Sequence, residues 1–122
     1  MTEYLTTDDV VLIADELGLV IRDLGLLAGS IARPQASAFG EDAYETLPAK
    51  IAAIVESINR THPLVDGNRR LSWTCAVIFA WRNGWDLAAD QTEIDATIRN
   101  VAAEKMPLEQ LTAWVTDHTS RT

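Results

Sequence analysis

The sequence predicts an all-α protein, a compact bundle of about six helices around one central buried helix, with a short flap loop or hairpin. Three observations lead there. Apolar residues recur at helical spacing in segment after segment. One stretch, Asn68 to Asn83, is apolar on nearly every side, as expected of a helix at the middle of a bundle. The chain of 122 residues, 48% hydrophobic and 23% charged, suits one globular domain spanning residues 1–122.

Taken in order, Val10, Ile13, Ala14 and Leu17 form the first apolar stripe, with Thr7 and Asp8-Asp9 as its start signal and Gly18 as its stop. Ile21, Leu24, Ala28 and Ile31 continue at helical spacing towards Pro34. From Pro34 to Tyr44 the sequence PQASAFGEDAY has no helical period, and its Pro, Ser and Gly residues predict a loop or short hairpin. Leu47, Ile51, Ile54, Val55 and Ile58 make a strong stripe that stops short of His62-Pro63. The apolar stretch from Asn68 follows and is closed by Asn83-Gly84. Asp90 with Glu93 reads as a capping box for a helix carrying Ile94, Ile98, Val101 and Ala102. Pro107 starts the last helix, with Leu108, Leu111 and Val115 facing inward.

Composition excludes several function classes. Ten Lys and Arg against 18 Asp and Glu give a net charge of −8, the wrong sign for direct nucleic-acid binding. No apolar run reaches the roughly 18 residues that span a bilayer. The N-terminal MTEYLTTDD is acidic where a signal peptide is basic and then apolar. The single cysteine, Cys75, offers no internal disulfide, so the expected location is the cytoplasm.

One segment carries chemistry: His62-Pro63-Leu64-Val65-Asp66-Gly67-Asn68-Arg69-Arg70, between an amphipathic helix and the most apolar one. Pro63 disfavours helical geometry at His62 and helps end the preceding helix. Gly67 lets the backbone bend before the next helix begins. The first N–H groups of that helix then lack intrahelical partners and form an anion site. Arg69 and Arg70 oppose the helix dipole, a placement that a bound phosphate explains better than helix stability does. Asp66 is a hard oxygen ligand for magnesium alongside substrate phosphates, or else a cap for the following helix. His62 offers an imidazole that can serve as general base. This inventory suits transfer of a phosphoryl or nucleotidyl group to a hydroxyl.

The segment resembles the central motif of the Fic/Doc family, His-Pro-Phe-x-(Asp/Glu)-Gly-Asn-Gly-Arg. His62, Pro63, Asp66, Gly67, Asn68 and Arg70 match, and Leu64 replaces the Phe. The residue between Asn and Arg is Gly in Fic proteins and Lys in Doc toxins; here it is Arg69. Trp73 stands where Fic proteins carry a second Arg. Both departures favour the death-on-curing (Doc) branch, and Ala32-Arg33-Pro34-Gln35, Ala38-Phe39-Gly40 and Asn83-Gly84-Trp85 are similar to that branch too. The likeness covers roughly residues 5 to 118.

Resemblance to Doc implies a toxin of a toxin–antitoxin module. Such a toxin uses ATP and magnesium to phosphorylate a hydroxyl of a translation protein like elongation factor Tu, which inhibits translation. By the same resemblance His62 is the base, Asp66 the magnesium ligand, and Gly67, Asn68, Arg69 and Arg70 the phosphate contacts, with Arg60 a weaker candidate. The loop at residues 34 to 46 corresponds to a flap that aligns the target. Fic members transfer AMP instead, which is the alternative within enzymes; a non-catalytic antitoxin-binding co-repressor is the alternative outside them. The family's inhibitory motif, (Ser/Thr)-x-x-x-Glu-(Gly/Asn), is missing, because no Glu in this chain precedes Gly or Asn. The inhibitory Glu is therefore expected on a separate antitoxin.

Other residues read as structural. His118 is expected at the surface near a fraying end, and Cys75 in the core. Trp81, Trp85 and Trp114 read as packing residues, and Trp73 as core or as a nucleotide-pocket wall. Two distant histidines and one cysteine give no zinc spacing.

Overall fold

The computed structural model describes residues 1–122. Six helices dominate it: α1 (Thr7–Glu16), α2 (Leu24–Ala32), α3 (Leu47–Thr61), α4 (Asn68–Arg82), α5 (Gln91–Ala102) and α6 (Leu108–Asp117). The molecule is mainly helical, as expected, and departs from a purely helical fold in two short antiparallel ladders, of which only the first falls in a segment expected to be a loop or hairpin. A hairpin of β1 (Ser37–Ala38) and β2 (Glu41–Asp42) occupies the predicted flap segment. A second antiparallel ladder pairs β3 (Trp85–Leu87) with β4 (Thr119–Arg121). Short strands of two or three residues carry too little alternation to stand out beside helical stripes.

Several helix starts follow from capping chemistry. Thr6, one residue before the predicted start, and Asp9 form a reciprocal capping box on α1, with Asp9 N–H donating to Thr6 Oγ1 at 3.1 Å and Thr6 N–H to Asp9 Oδ2 at 2.9 Å. Asp23 caps α2 through the Leu26 amide, so Ile21 lies outside the helix and instead bridges to Leu64. Asp90 precedes α5 but makes no side-chain cap bond. Its expected partner Glu93 is engaged elsewhere, accepting from Trp114 Nε1 at 3.3 Å and lying 3.1 Å from His118 Nε2. His118 also stacks on Trp114 with ring centroids 4.1 Å apart, and β4 beyond it is paired, so this end of the chain is bracketed, not frayed.

The central helix is α3, not α4. It packs against α2, α4, α5 and α6, and its buried residues run right round it, from Ile51, Ala52, Ala53 and Ile54 to Ile58 and the polar Lys50, Glu56 and Asn59. It reads as amphipathic only because three of its buried residues are polar and paired. Arg33 donates to Glu56 at 2.9 Å, Lys50 to the Tyr44 carbonyl, and Asn59 Nδ2 to Ser72 Oγ at 2.8 Å. In α4, by contrast, Leu71, Cys75, Ala76 and Phe79 are buried while Trp81 is 69% exposed. Apolar composition therefore overstated its burial. Cys75 does lie in the core, and burial pushes its thiol up to about 12.

An exposed ion pair ties α1 to the far end of α4. Arg82 Nη1 lies 2.8 Å from Asp9 Oδ2, and this hydrogen bond, with that from the Thr6 amide, holds the Asp9 carboxyl down at about 2. A lowered carboxylate pKa adds stability that is complete above the ordinary value of 3.8 and is lost as pH falls through about 2. Solvent screening keeps the effect below about 1 kcal/mol. Urea melts across that window are expected to show a shallower acid limb for Asp9→Asn than for the parent chain, and parallel limbs would refute this.

Candidate active site

The C-terminus of α3 and the N-terminus of α4 meet at the loop His62–Gly67. His62 closes α3 in the left-handed region (φ 53, ψ 62), a conformation that costs a non-glycine residue about 1 kcal/mol and persists only where its surroundings impose it. Those surroundings are visible. The Pro63 carbonyl accepts from the backbone amides of Arg22 (2.8 Å) and Asp23 (3.0 Å), and Val65 N–H donates to the Val20 carbonyl at 2.9 Å. With the Ile21–Leu64 bridge, the α1–α2 connection is zipped along the loop.

Asn68 braces the same loop from the other side. Its Oδ1 accepts from Leu64 N–H at 2.9 Å and its Nδ2 donates to the Leu64 carbonyl at 3.3 Å. Its side chain is thus committed to the backbone, and what it turns outward is its own N–H in the first turn of α4. Gly67 precedes it with φ 84, a left-handed geometry that suits glycine. A Cβ there would also fall 2.6 Å from Leu19 Cδ2. Gly67→Ala is accordingly expected to lower stability by about 1–2 kcal/mol in chemical denaturation. Unchanged stability would mean that the loop tolerates the side chain.

Behind the loop, Asn59 Nδ2 donates to Ser72 Oγ, and Ser72 Oγ to the Arg69 carbonyl, each at 2.8 Å. This buried relay couples α3 to the first turn of α4. Asn59 Oδ1 is buried without a partner.

His62, Asp66, Gly67, Asn68, Arg69 and Arg70 line one open hollow of about 560 Å³, with Asn59, Val65 and Ala102 completing it. Asp66 is exposed, and one of its carboxylate oxygens accepts from Gly67 N–H at 2.9 Å. No side chain caps α4, so its first amides are available to a ligand. None of the ion pairs includes Arg69 or Arg70. In a chain of net charge −8, two unneutralised guanidinium groups beside a free helix N-terminus make a local anion site. A second hollow of about 480 Å³ adjoins it on the other side of the same arginines, between α4 and α5, and is lined by Trp73, Asp95 and Arg99 among others.

The structure thus brings together six of the seven residues singled out from the sequence. Arg60 stands apart. Its guanidinium lies 3.6 Å from Glu56 and 4.0 Å from Glu104, and it does not line the hollow. Two residues before His62 along a helix is about 200° round it, which explains why proximity in sequence misleads.

The family model described as Fic/DOC matches residues 4–80, the segment from α1 through most of α4 that contains the whole loop. The chain belongs to the Fic/DOC family. It is 50% identical over 93 residues to the protein named Toxin Doc of Mycolicibacterium smegmatis, covering 74% of this chain and 72% of that one. The family motif therefore sits here on a helix–loop–helix whose geometry is imposed by a segment outside it, residues 19–23. Leu19, Arg22 and Asn59 were missed in the sequence because none lies within the motif, and only their folded positions connect them to it. None of the six helices is long and apolar enough to cross a membrane.

Proposed function

We propose that this chain is the toxin of a toxin–antitoxin module that transfers the γ-phosphoryl group of ATP to a protein hydroxyl. The carrying observation is the convergence on one hollow of an imidazole, a carboxylate, uncapped helix amides and two unpaired guanidinium groups. His62 takes the proton of the target hydroxyl. The hydroxyl oxygen bonds to the γ-phosphorus as the bond to the bridging β–γ oxygen breaks, and ADP departs with the electrons of that bond. The amides of the first turn of α4, with Arg69 and Arg70, hold the phosphate charge, which is most of what such a loose transition state requires. Asn68 and Gly67 keep that turn in shape.

Magnesium fits the donor set. No three His, Cys, Asp or Glu side chains are grouped to hold a metal on their own, whereas Asp66 supplies the single carboxylate that suits an ion shared with phosphate oxygens and water. When bound, it neutralises polyphosphate charge.

The target is taken to be a translation protein like elongation factor Tu, with the β1–β2 hairpin as the flap that aligns it. The inhibitory Glu motif, absent from this sequence, is assigned to a cognate antitoxin. That pairing accords with the name of the mycobacterial relative. The acidic charge leaves any DNA contact to the antitoxin, and the setting is the cytoplasm.

The test incubates antitoxin-free protein with magnesium, elongation factor Tu and ATP labelled at the α or the γ phosphorus. Label from γ, lost in His62→Ala, is the expected result. Label from α would replace this reading with AMP transfer, and no label on any lysate protein would favour a binding role.

A further inference from the structure

We propose that Arg22, from the connection between α1 and α2, is a positioning residue that aims the His62 imidazole. The inference rests on the reading of His62 as the base. Arg22 lies 40 positions before His62, outside the motif and exposed, yet its side chain spans the end of α3. Its Nε donates to the His62 carbonyl at 3.0 Å, and its Nη2 donates to the carbonyls of His62 (2.5 Å) and Thr61 (3.2 Å). Its backbone amide donates to the next carbonyl, that of Pro63. Three consecutive carbonyls are therefore held by one residue.

The physical logic is specific to this position. The last carbonyls of a helix have no intrahelical partners, and Pro63 lacks an N–H that could help close α3 with a backbone bond. A planar guanidinium can serve two carbonyls at once with its charge at the negative end of the helix dipole, where a cation is favoured. Because His62 sits in the left-handed region, the direction of its Cα–Cβ bond depends on the orientation of the two peptide planes beside it. The carbonyl that Arg22 grips most closely belongs to one of those planes.

The experiment compares the parent chain with Arg22→Ala and Arg22→Lys. An ammonium is one point charge and cannot reproduce the fork, so Lys is expected to restore helix-end charge without restoring alignment. For Arg22→Ala, the kcat of transfer is expected to fall about 100-fold with KM for ATP unchanged, the size of effect that a small misplacement of a reacting group produces. Arg22→Lys should recover only part of that loss while matching the parent in thermal stability.

A readout free of activity accompanies this. With ¹⁵N-labelled imidazole, the parent should give one set of His62 ring signals and Arg22→Ala several exchanging sets. Undisturbed ring signals in Arg22→Ala, or full kcat recovery by Arg22→Lys, would overturn the positioning role. A parent chain that transfers nothing while its His62 ring still loses order in Arg22→Ala would overturn the phosphoryl-transfer reading and leave the positioning role standing.

Discussion

His62→Ala is expected to slow transfer about 10³-fold, within the usual range for loss of a general base, while leaving ATP affinity unchanged. On the proposed reading affinity is spared, because the phosphate contacts are assigned to Arg69, Arg70 and the first amides of α4, none of which the His62 side chain braces. His62→Gly separates function from folding. Glycine adopts φ near 53° without the penalty a side chain incurs there, so this variant should lose transfer and gain about 1 kcal/mol of stability. Single-turnover kinetics and thermal melts on both variants check the pair of claims. Retained transfer in His62→Ala would remove the imidazole from the mechanism, and a destabilised His62→Gly would remove the strain.

Glu56→Ala is expected to have the largest effect on stability. Glu56 is 7% exposed and receives Arg33 at 2.9 Å and Arg60 at 3.6 Å. Arg33 also donates to the Tyr44 hydroxyl at 2.8 Å and to the Ala53 carbonyl at 3.2 Å. Burial disfavours the Arg33 charge, yet these hydrogen bonds outweigh it and raise its pKa. Removing the carboxylate leaves two half-buried cations facing each other. Breaking a buried pair costs about 3–5 kcal/mol, and partial exposure of both arginines reduces this to about 2 kcal/mol. For a domain of this size that is a drop of about 8 °C in Tm. Because Tyr44 follows the β1–β2 hairpin, amide exchange at Ala43, whose N–H donates to the Ala36 carbonyl, should quicken more than exchange in α4. A Tm within about 2 °C of the parent would show that the pair contributes as little as a surface salt bridge.

Much of this was legible in the sequence, and for identifiable reasons. The end of α3 just before His62-Pro63 and the start of α6 after Pro107 fall where those prolines indicate. The motif was legible because its residues are adjacent in the chain and meet around one hollow in the fold. What was not legible depends on pairing at a distance. The centrality of α3 was hidden by Lys50, Glu56 and Asn59, whose polarity signals a surface unless their partners are known. The capping box expected from Asp90 and Glu93 fails because Trp114 and His118, more than twenty positions away, compete for the same carboxylate. The β3–β4 ladder joins residues too few and too far apart to leave a pattern. Arg60 shows the converse error, since closeness to His62 along the helix places it on another side.

The zipper between residues 20–23 and 62–65 also bears on the order in which this chain acquires chemistry. Its bonds close a loop of some forty residues that contains α2, the hairpin and all of α3. Helical segments form from local contacts, so α3 and α4 can precede that closure during folding. On the proposed reading the base cannot, because the left-handed backbone of His62 is held by contacts that form only when that loop closes. A collapsed intermediate would thus carry every motif residue and still be inert, and the activity would switch on with the final cooperative step. Refolding followed at once by far-UV circular dichroism and by regained transfer should show the optical signal leading the enzymatic one.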